Sequence, residues 1–449
     1  MDLRKRGTVM LFKNITIIDE NYKAVPHQNI LVRKNKIAYI GADIPAGDMS
    51  DDAGDVYDGT DKIAVPGFFN LHCHAAMTLL RGYGEGLPLY NWLFDKMFPF
   101  EATLGDEDIY YGAQLGIAEM IRSGACSFND MYFCMPSVAR AVDEAGFKAN
   151  LSHGSSTNNG KDDCRFTESN GYAGTMGLLD YVKTLDHDRI HVDAAIHAEY
   201  TSGPALCRDV AAFAKEHKLH MHVHISETKK EHDECKERRG MTPTKWFAEL
   251  GILDVPTTAA HCVRVEPEDM EILASHGVTV SFNPSSNLKL GSGIAPIRSL
   301  RDAGVKIGFG TDGVASNNNL NMLEEITLGA MVQKGVEHDP LFLSTSEIFA
   351  MACKNGADAQ GRPDCGAIKV GNRADILVFD TDRPHMQPMI DPVSNILFSA
   401  HSDDIVLNMV DGKILYKDGE YLTLDIEKII ANVKRIVNEK LIKLEGKGL

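Results

Sequence analysis

The residues best suited to chemistry begin with a pair of histidines, His72 and His74, separated by one cysteine and directly following the apolar run Pro66 to Leu71. In a strand, positions i and i+2 point the same way, so the two imidazoles converge where such a strand ends, and convergent imidazoles suit a divalent metal. An HxH pair alone is a weak signal. Three further segments strengthen it, each carrying another ligand-type side chain at the end of an apolar run: His224 in HMHVHISE, His261 in TTAAHC and Asp312 in KIGFGTD. Barrel enzymes gather their catalytic groups at the C-terminal ends of their strands, and these residues recur at such ends in chain order. His220, His222 and His224 alternate and share one face of their strand. His224 lies nearest the rim and is followed by Glu227, whereas His220 and His222 read as packing residues deeper in the barrel.

These side chains need a frame, and its texture is legible. From Pro66 onward, apolar strand-like runs (Phe68 to Cys73, Ala125 to Asp130, Ile190 to His197, His220 to Ile225, Thr257 to His261, Val278 to Phe282 and Lys306 to Thr311) alternate with helical stretches. About eight such units in roughly 300 residues predict an α/β fold, a (β/α)8 TIM-like barrel over residues 67–365. Short alternating strands with turn residues occupy 1–66 and return in GAIKVGNRADILVFD and DIVLNMVDGKILYKDGEY. Neither end has enough strands to bury a face alone, so 1–66 plus 366–449 are expected to form one composite β-sandwich, with a closing helix over Asp425 to Leu444.

Composition excludes several classes. The 449 residues are 44% hydrophobic and 24% charged, the balance of a globular protein, and no apolar run reaches bilayer length. A net charge of −17 repels a polyphosphate backbone, so a nucleic acid polymer is excluded as partner while a small neutral substrate is not. Met1 to Arg6 is basic but leads into no apolar signal region, and nine scattered cysteines without a CxxC pair fit reduced thiols; both point to the cytoplasm. Cys73 and Cys262, each beside a chemically interesting histidine, read as small buried fillers.

The segments PGFFNLHCHAAMTLLRG, HISET, AHC, NPSSNLKLGSGIAP and GTDGVASNN closely resemble the amidohydrolase superfamily, in particular its methylthioadenosine and S-adenosylhomocysteine deaminase group, and the resemblance covers nearly the whole chain. It implies one Zn2+ per chain held by His72, His74, His224 and Asp312 together with a water. Members with two metals bridge them through a lysine near the end of the fourth strand, and IHVDAAIHAEY contains none, which fits a single metal. Zinc lowers the pKa of its water to roughly 7. Glu227 is then the residue to take the water's proton and hand it to the substrate ring, Asp312 the acceptor of the second proton, and His261 a donor to the attacking oxygen or else a fifth ligand.

The same resemblance implies that Glu101, in FPFEATL, binds ribose hydroxyls and that His197, in IHAEY, contacts substrate. Trp92 is expected to wall the pocket, and Ser316 lies near its mouth without an assigned role. Members that accept homocysteine derivatives clamp a distal carboxylate with two arginines; here His153 stands at the first position and Arg165 near the second. Half the clamp is missing, which favours adenosine, methylthioadenosine or 5′-deoxyadenosine over S-adenosylhomocysteine as the nucleoside substrate. Two other readings keep part of this picture: a guanine deaminase or triazine hydrolase on the same metal site, and a non-catalytic metal-binding homologue. A homo-oligomeric assembly is left open.

Overall fold

The computed structural model describes residues 9–44, 54–157 and 162–445; the start Met1 to Arg6 and part of the polar loop Ser155 to Asn170 fall outside them. Eight strands follow one another in a single sheet in sequence order: β1 (Phe68–Cys73), β2 (Ala125–Tyr132), β3 (Lys148–His153), β4 (Ile190–Ile196), β5 (His220–Ile225), β6 (Thr257–His261), β7 (Thr279–Phe282) and β8 (Lys306–Phe309). Pairing is parallel from β2 through to β8. Every residue of β1, β2, β3, β6 and β7 is buried. Such strands meet helices on one face and packed side chains on the other, which is why they read as apolar runs.

The last strand returns to the first through polar contacts. Beyond β8, the Asp312 N–H donates to the carbonyl of His72 at 2.9 Å. The Asn70 amide donates to Thr311 Oγ1 at 2.8 Å, and its oxygen accepts the Thr311 N–H at 3.1 Å. This seam sets His72 beside Asp312. Asn70→Ala strands buried groups on Thr311 and is expected to cost about 2 kcal/mol in chemical denaturation; a loss under about 0.5 kcal/mol would mean that the backbone closes the seam unaided.

β3 is the strand missing from the apolar runs. Its inward side chains are polar but paired: Asn150 donates to Asp193 at 3.1 Å, and Ser152 donates to the carbonyl of Asp130 at 2.9 Å.

The compact unit that holds most of the barrel comprises Asn70–Glu119, Ser127–Leu320 and Leu424–Leu449, so the closing helix Ile426–Glu445 belongs to it. The other unit comprises Met1–Phe69, Met120–Cys126 and Asn321–Thr423. It contains one mixed nine-stranded sheet from both chain ends, joined where Lys62–Pro66 pairs antiparallel with Ile376–Asp380. Within it, Val9–Ile18 takes Asp55–Asp58 beside its first half and Lys62–Pro66 beside its second, with irregularities between Phe12 and Ile17 that increase local twist. Alternate residues, including Phe12, Ile30, Ile376, Val378 and Leu407, fill its core. Among the described residues, no helix is long and apolar enough to cross a membrane.

Candidate metal centre and active site

His72 ends its strand's inward row and His74 follows β1 directly, while His224 lies within β5, His261 ends β6 and Asp312 follows β8. The ligand atoms of His72, His74 and His224 lie within 4.8 Å of one another, as do those of His72, His261 and Asp312. Asp312 Oδ1 faces His72 Nε2 at 3.4 Å and His74 Nε2 at 3.3 Å. His261 and Asp312 adopt φ of +74° and +59°, a left-handed backbone that non-glycine residues rarely take outside sites where function repays the strain.

The outer hydrogen bonds determine which ring nitrogen carries the proton. His74 Nδ1 donates to the carbonyl of Met131 at 2.6 Å, and His224 Nδ1 donates to that of His197 at 2.7 Å. In a neutral ring this leaves the Nε2 lone pair free and aimed inward. His72 Nδ1 shares a hydrogen bond of 2.9 Å with His222 Nε2, while His72 Nε2 is buried without a hydrogen-bond partner. His261 is the opposite case. Its Nδ1 accepts from Asn287 Nδ2 at 2.9 Å and from Asn283 Nδ2 at 3.2 Å, so its Nε2 bears the hydrogen. His74 and His224 therefore present lone pairs and His261 presents a donor, which argues against His261 as a fifth ligand.

Electrostatics agree with this division. Burial lowers the pKa of all these imidazoles, to about 4 for His74 and His261 and well below the usual value for His224, keeping them neutral. Burial works to raise the Asp312 carboxyl, yet it stays well below the ordinary range. Ser286 donates to its Oδ2 at 2.6 Å and the Gly313 N–H to its Oδ1 at 2.7 Å. A buried nitrogen without a hydrogen-bond partner, two inward lone pairs and an ionised carboxylate suit a divalent metal. Cys73 and Cys262 are buried with thiols pushed up by desolvation, consistent with filler roles.

Glu227 stands at the rim, its Oε2 3.8 Å from His261 Nε2. Burial first, and the charge of Asp312 second, push its carboxyl up to about 8, against the pull of a 3.2 Å hydrogen bond from Ser292. A group titrating near neutrality suits proton transfer in either direction. Its backbone is pinned by Glu231, whose buried carboxylate accepts the N–H groups of Ser226 at 3.0 Å and Glu227 at 2.7 Å. Glu231 can reach back because it opens the helix Lys229–Arg239 in a capping box with Thr228.

Sequence reasoning missed this supporting shell. Asn283, Ser286, Asn287 and Ser292 all lie in NPSSNLKLGSG, a segment recognisable as a family match but carrying no assigned roles, and the sequence alone makes His222 a packing residue, whereas its ring bonds His72. Their common signal is a dense polar stretch immediately after the buried strand β7.

The remaining residues are distributed unevenly. The His197 ring lies 5.0 Å from that of His224, and its Nδ1 shares a hydrogen bond with Thr201 Oγ1 at 2.8 Å. Glu101 accepts from the Tyr132 hydroxyl at 2.6 Å, and the Tyr132 ring lies 6.3 Å from His74. Burial pushes the Glu101 carboxyl up to about 7, opposed by that hydrogen bond. Trp92 is buried at the start of the helical turn Trp92–Met97, and Ser316 is buried with its hydroxyl donating to the Gly313 carbonyl at 3.0 Å. His153 and Arg165 have different partners. The His153 ring packs against Gly174 in the helix Asn170–Val182, where an added Cβ would lie 1.9 Å from its Cδ2. The exposed Arg165 guanidinium makes two bonds to Asp209, at 2.6 and 2.7 Å.

Comparisons with known proteins agree with this geometry. The amidohydrolase family model matches residues 63–415. A 5-methylthioadenosine/S-adenosylhomocysteine deaminase of Dictyoglomus thermophilum is 43% identical over 388 residues, covering 86% of this chain and 90% of that protein. A 5′-deoxyadenosine deaminase of Methanothermobacter thermautotrophicus is 41% identical over 399 residues, covering 88% and 91%. The solved structure of an adenosine deaminase from Xanthomonas campestris with bound zinc matches with a TM-score of 0.89 at 28% identity, covering 97% of this chain and 99% of that one. The matched segment includes every strand of the barrel and all four residues facing its centre, and the chain belongs to the amidohydrolase family.

Proposed function

We propose that this chain is a zinc-dependent aminohydrolase that converts the 6-amino group of an adenine nucleoside to the inosine-type product and ammonia, with one zinc per chain held by His72, His74, His224 and Asp312. The observation that carries the reading is the division of roles among the converging imidazoles: His74 and His224 with inward lone pairs, His72 with a buried Nε2 that has no hydrogen-bond partner, and His261 with an inward N–H. Relatives named as deaminases of adenine nucleosides support it, as does the zinc in the Xanthomonas structure.

When bound, zinc supplies an activated water at neutral pH. Glu227 takes a proton from the attacking water and delivers it to the ring nitrogen beside the amino-bearing carbon, which turns an aromatic amidine into a reactive centre. The His261 Nε2–H donates to the oxygen as negative charge develops there. Asp312, its orientation held by Ser286 and the Gly313 N–H, accepts the second proton and passes it to the departing ammonia. His197 and Trp92 contact the nucleoside, and Ser316 supports the turn after Asp312.

Glu101 accepts hydrogen bonds from ribose hydroxyls, and does so most strongly when its carboxyl is ionised. Its pKa near 7 therefore predicts that KM for adenosine falls as pH rises through about 7. Glu101→Gln should raise KM by about 10-fold to 100-fold and flatten that dependence; a KM profile identical to wild type would remove Glu101 from the ribose site.

With His153 packed on a helix and Arg165 paired to Asp209, these two residues offer no two-cation clamp to a distal carboxylate, which supports a nucleoside with a small neutral 5′ group. Turnover of adenosine, 5′-deoxyadenosine, methylthioadenosine, S-adenosylhomocysteine and guanine, followed by ultraviolet absorbance, tests this. We expect kcat/KM for the first three to exceed that for S-adenosylhomocysteine by about 10-fold or more, the worth of one charge-assisted contact. Ammonia release from guanine alone would discard the adenine reading.

A further inference from the structure

In the unit built around the mixed sheet, a second cluster of metal-ligating side chains occurs. His385 lies in the turn Pro384–Met386, while His401 precedes and Asp404 closes the turn Ser402–Asp404 that leads into the strand Ile405–Val410. One ligand atom from each of His385, His401 and Asp404 lies within 4.8 Å of the others. The two imidazoles stack with centroids 4.5 Å apart at 27°. Both histidines are exposed and Asp404 is buried, so the cluster is a carboxylate floor with two rings above it, open to solvent.

We propose that His385, His401 and Asp404 form a second, surface-accessible binding site for a divalent transition ion of the zinc class. Asp404 Oδ2 accepts from His385 Nε2 at 2.7 Å and from the His401 N–H at 2.8 Å. Both bonds use one oxygen, and no Lys or Arg pairs with Asp404 among the described residues; Arg122 bonds the neighbouring Asp403 instead. The backbone bond pre-orients the carboxylate at no cost to the imidazoles. Two borderline-soft nitrogens and one oxygen match zinc, cobalt(II) or nickel(II) rather than calcium or magnesium. Coordination exchanges the His385 contact with Asp404 for bonds from both to the ion, water completing the shell. The open side makes this site weaker and more exchangeable than the enclosed barrel centre.

The experiment counts bound metal. The holoenzyme is dialysed to equilibrium against a fixed concentration of Co2+ or Zn2+, and bound metal per chain is taken as the difference between the two compartments, with Co2+ also followed by its visible absorption. Wild type should hold about two equivalents, and His385→Ala, His401→Ala and the shape-conserving Asp404→Asn about one, with wild-type turnover of adenosine and unchanged circular dichroism. A His74→Ala variant separates this site from the proposed catalytic one, because it should lose the tight equivalent and keep the weak one. Equal metal content in wild type, His401→Ala and Asp404→Asn would overturn the proposal.

Discussion

Glu227→Gln is expected to bind as much zinc as wild type and to lose about 1,000-fold or more in kcat. Glutamine keeps the size of the side chain and can still accept from Ser292 Oγ. It cannot take a proton from water, and a positioned acid/base group contributes roughly 100-fold to 10,000-fold. The upper part of that range is expected because Glu227 serves twice, first removing a proton and then delivering it to the ring. The carboxyl does not supply the metal site, since the rings of His72, His74 and His224 are each oriented by partners other than Glu227. KM should change little, so the loss falls on kcat. Steady-state kinetics with metal analysis on the same preparation decide the matter: wild-type kcat ends the assigned role, and loss of metal would make Glu227 a structural residue.

Stripping the metal is expected to abolish turnover and to lower stability together. Dialysis against a chelator should bring activity below about one part in 1,000 of the holoenzyme, the scale on which activation of water operates, and added zinc should restore it. An ion that binds only the folded chain stabilises it by about 4 kcal/mol when free ion exceeds the dissociation constant a thousandfold. The apo chain should therefore melt several degrees lower, about 2–4 °C per kcal/mol for a chain of this size or somewhat less. Full activity in verified apo protein would refute the metal reading.

Much of this site was legible one-dimensionally. A buried parallel strand writes itself as an apolar run because both of its faces are covered, and a ligand at its end stands out as a polar residue breaking that run. His72, Asp312 and His261 each announce themselves in this way, and His74 is tied to His72 by the period of two. β3 escaped for the converse reason. Lys148, Asn150 and Ser152 line its inner face, so its pattern resembles a loop until their partners across the barrel are seen.

What the amino-acid sequence by itself determined, then, is the set of chemical groups and the strand ends that carry them, because periodicity and burial are local in the chain. Which nitrogen of each imidazole is free was decided only by tertiary structure. Nothing near His261 in the chain says that Asn283 and Asn287 will fill its Nδ1, and nothing near His74 offers the Met131 carbonyl. The same holds for Arg165, whose pairing with Asp209 spans 44 residues. Proton position and charge pairing are set by neighbours a few ångströms away in space, and the chain brings those neighbours together only when the barrel closes.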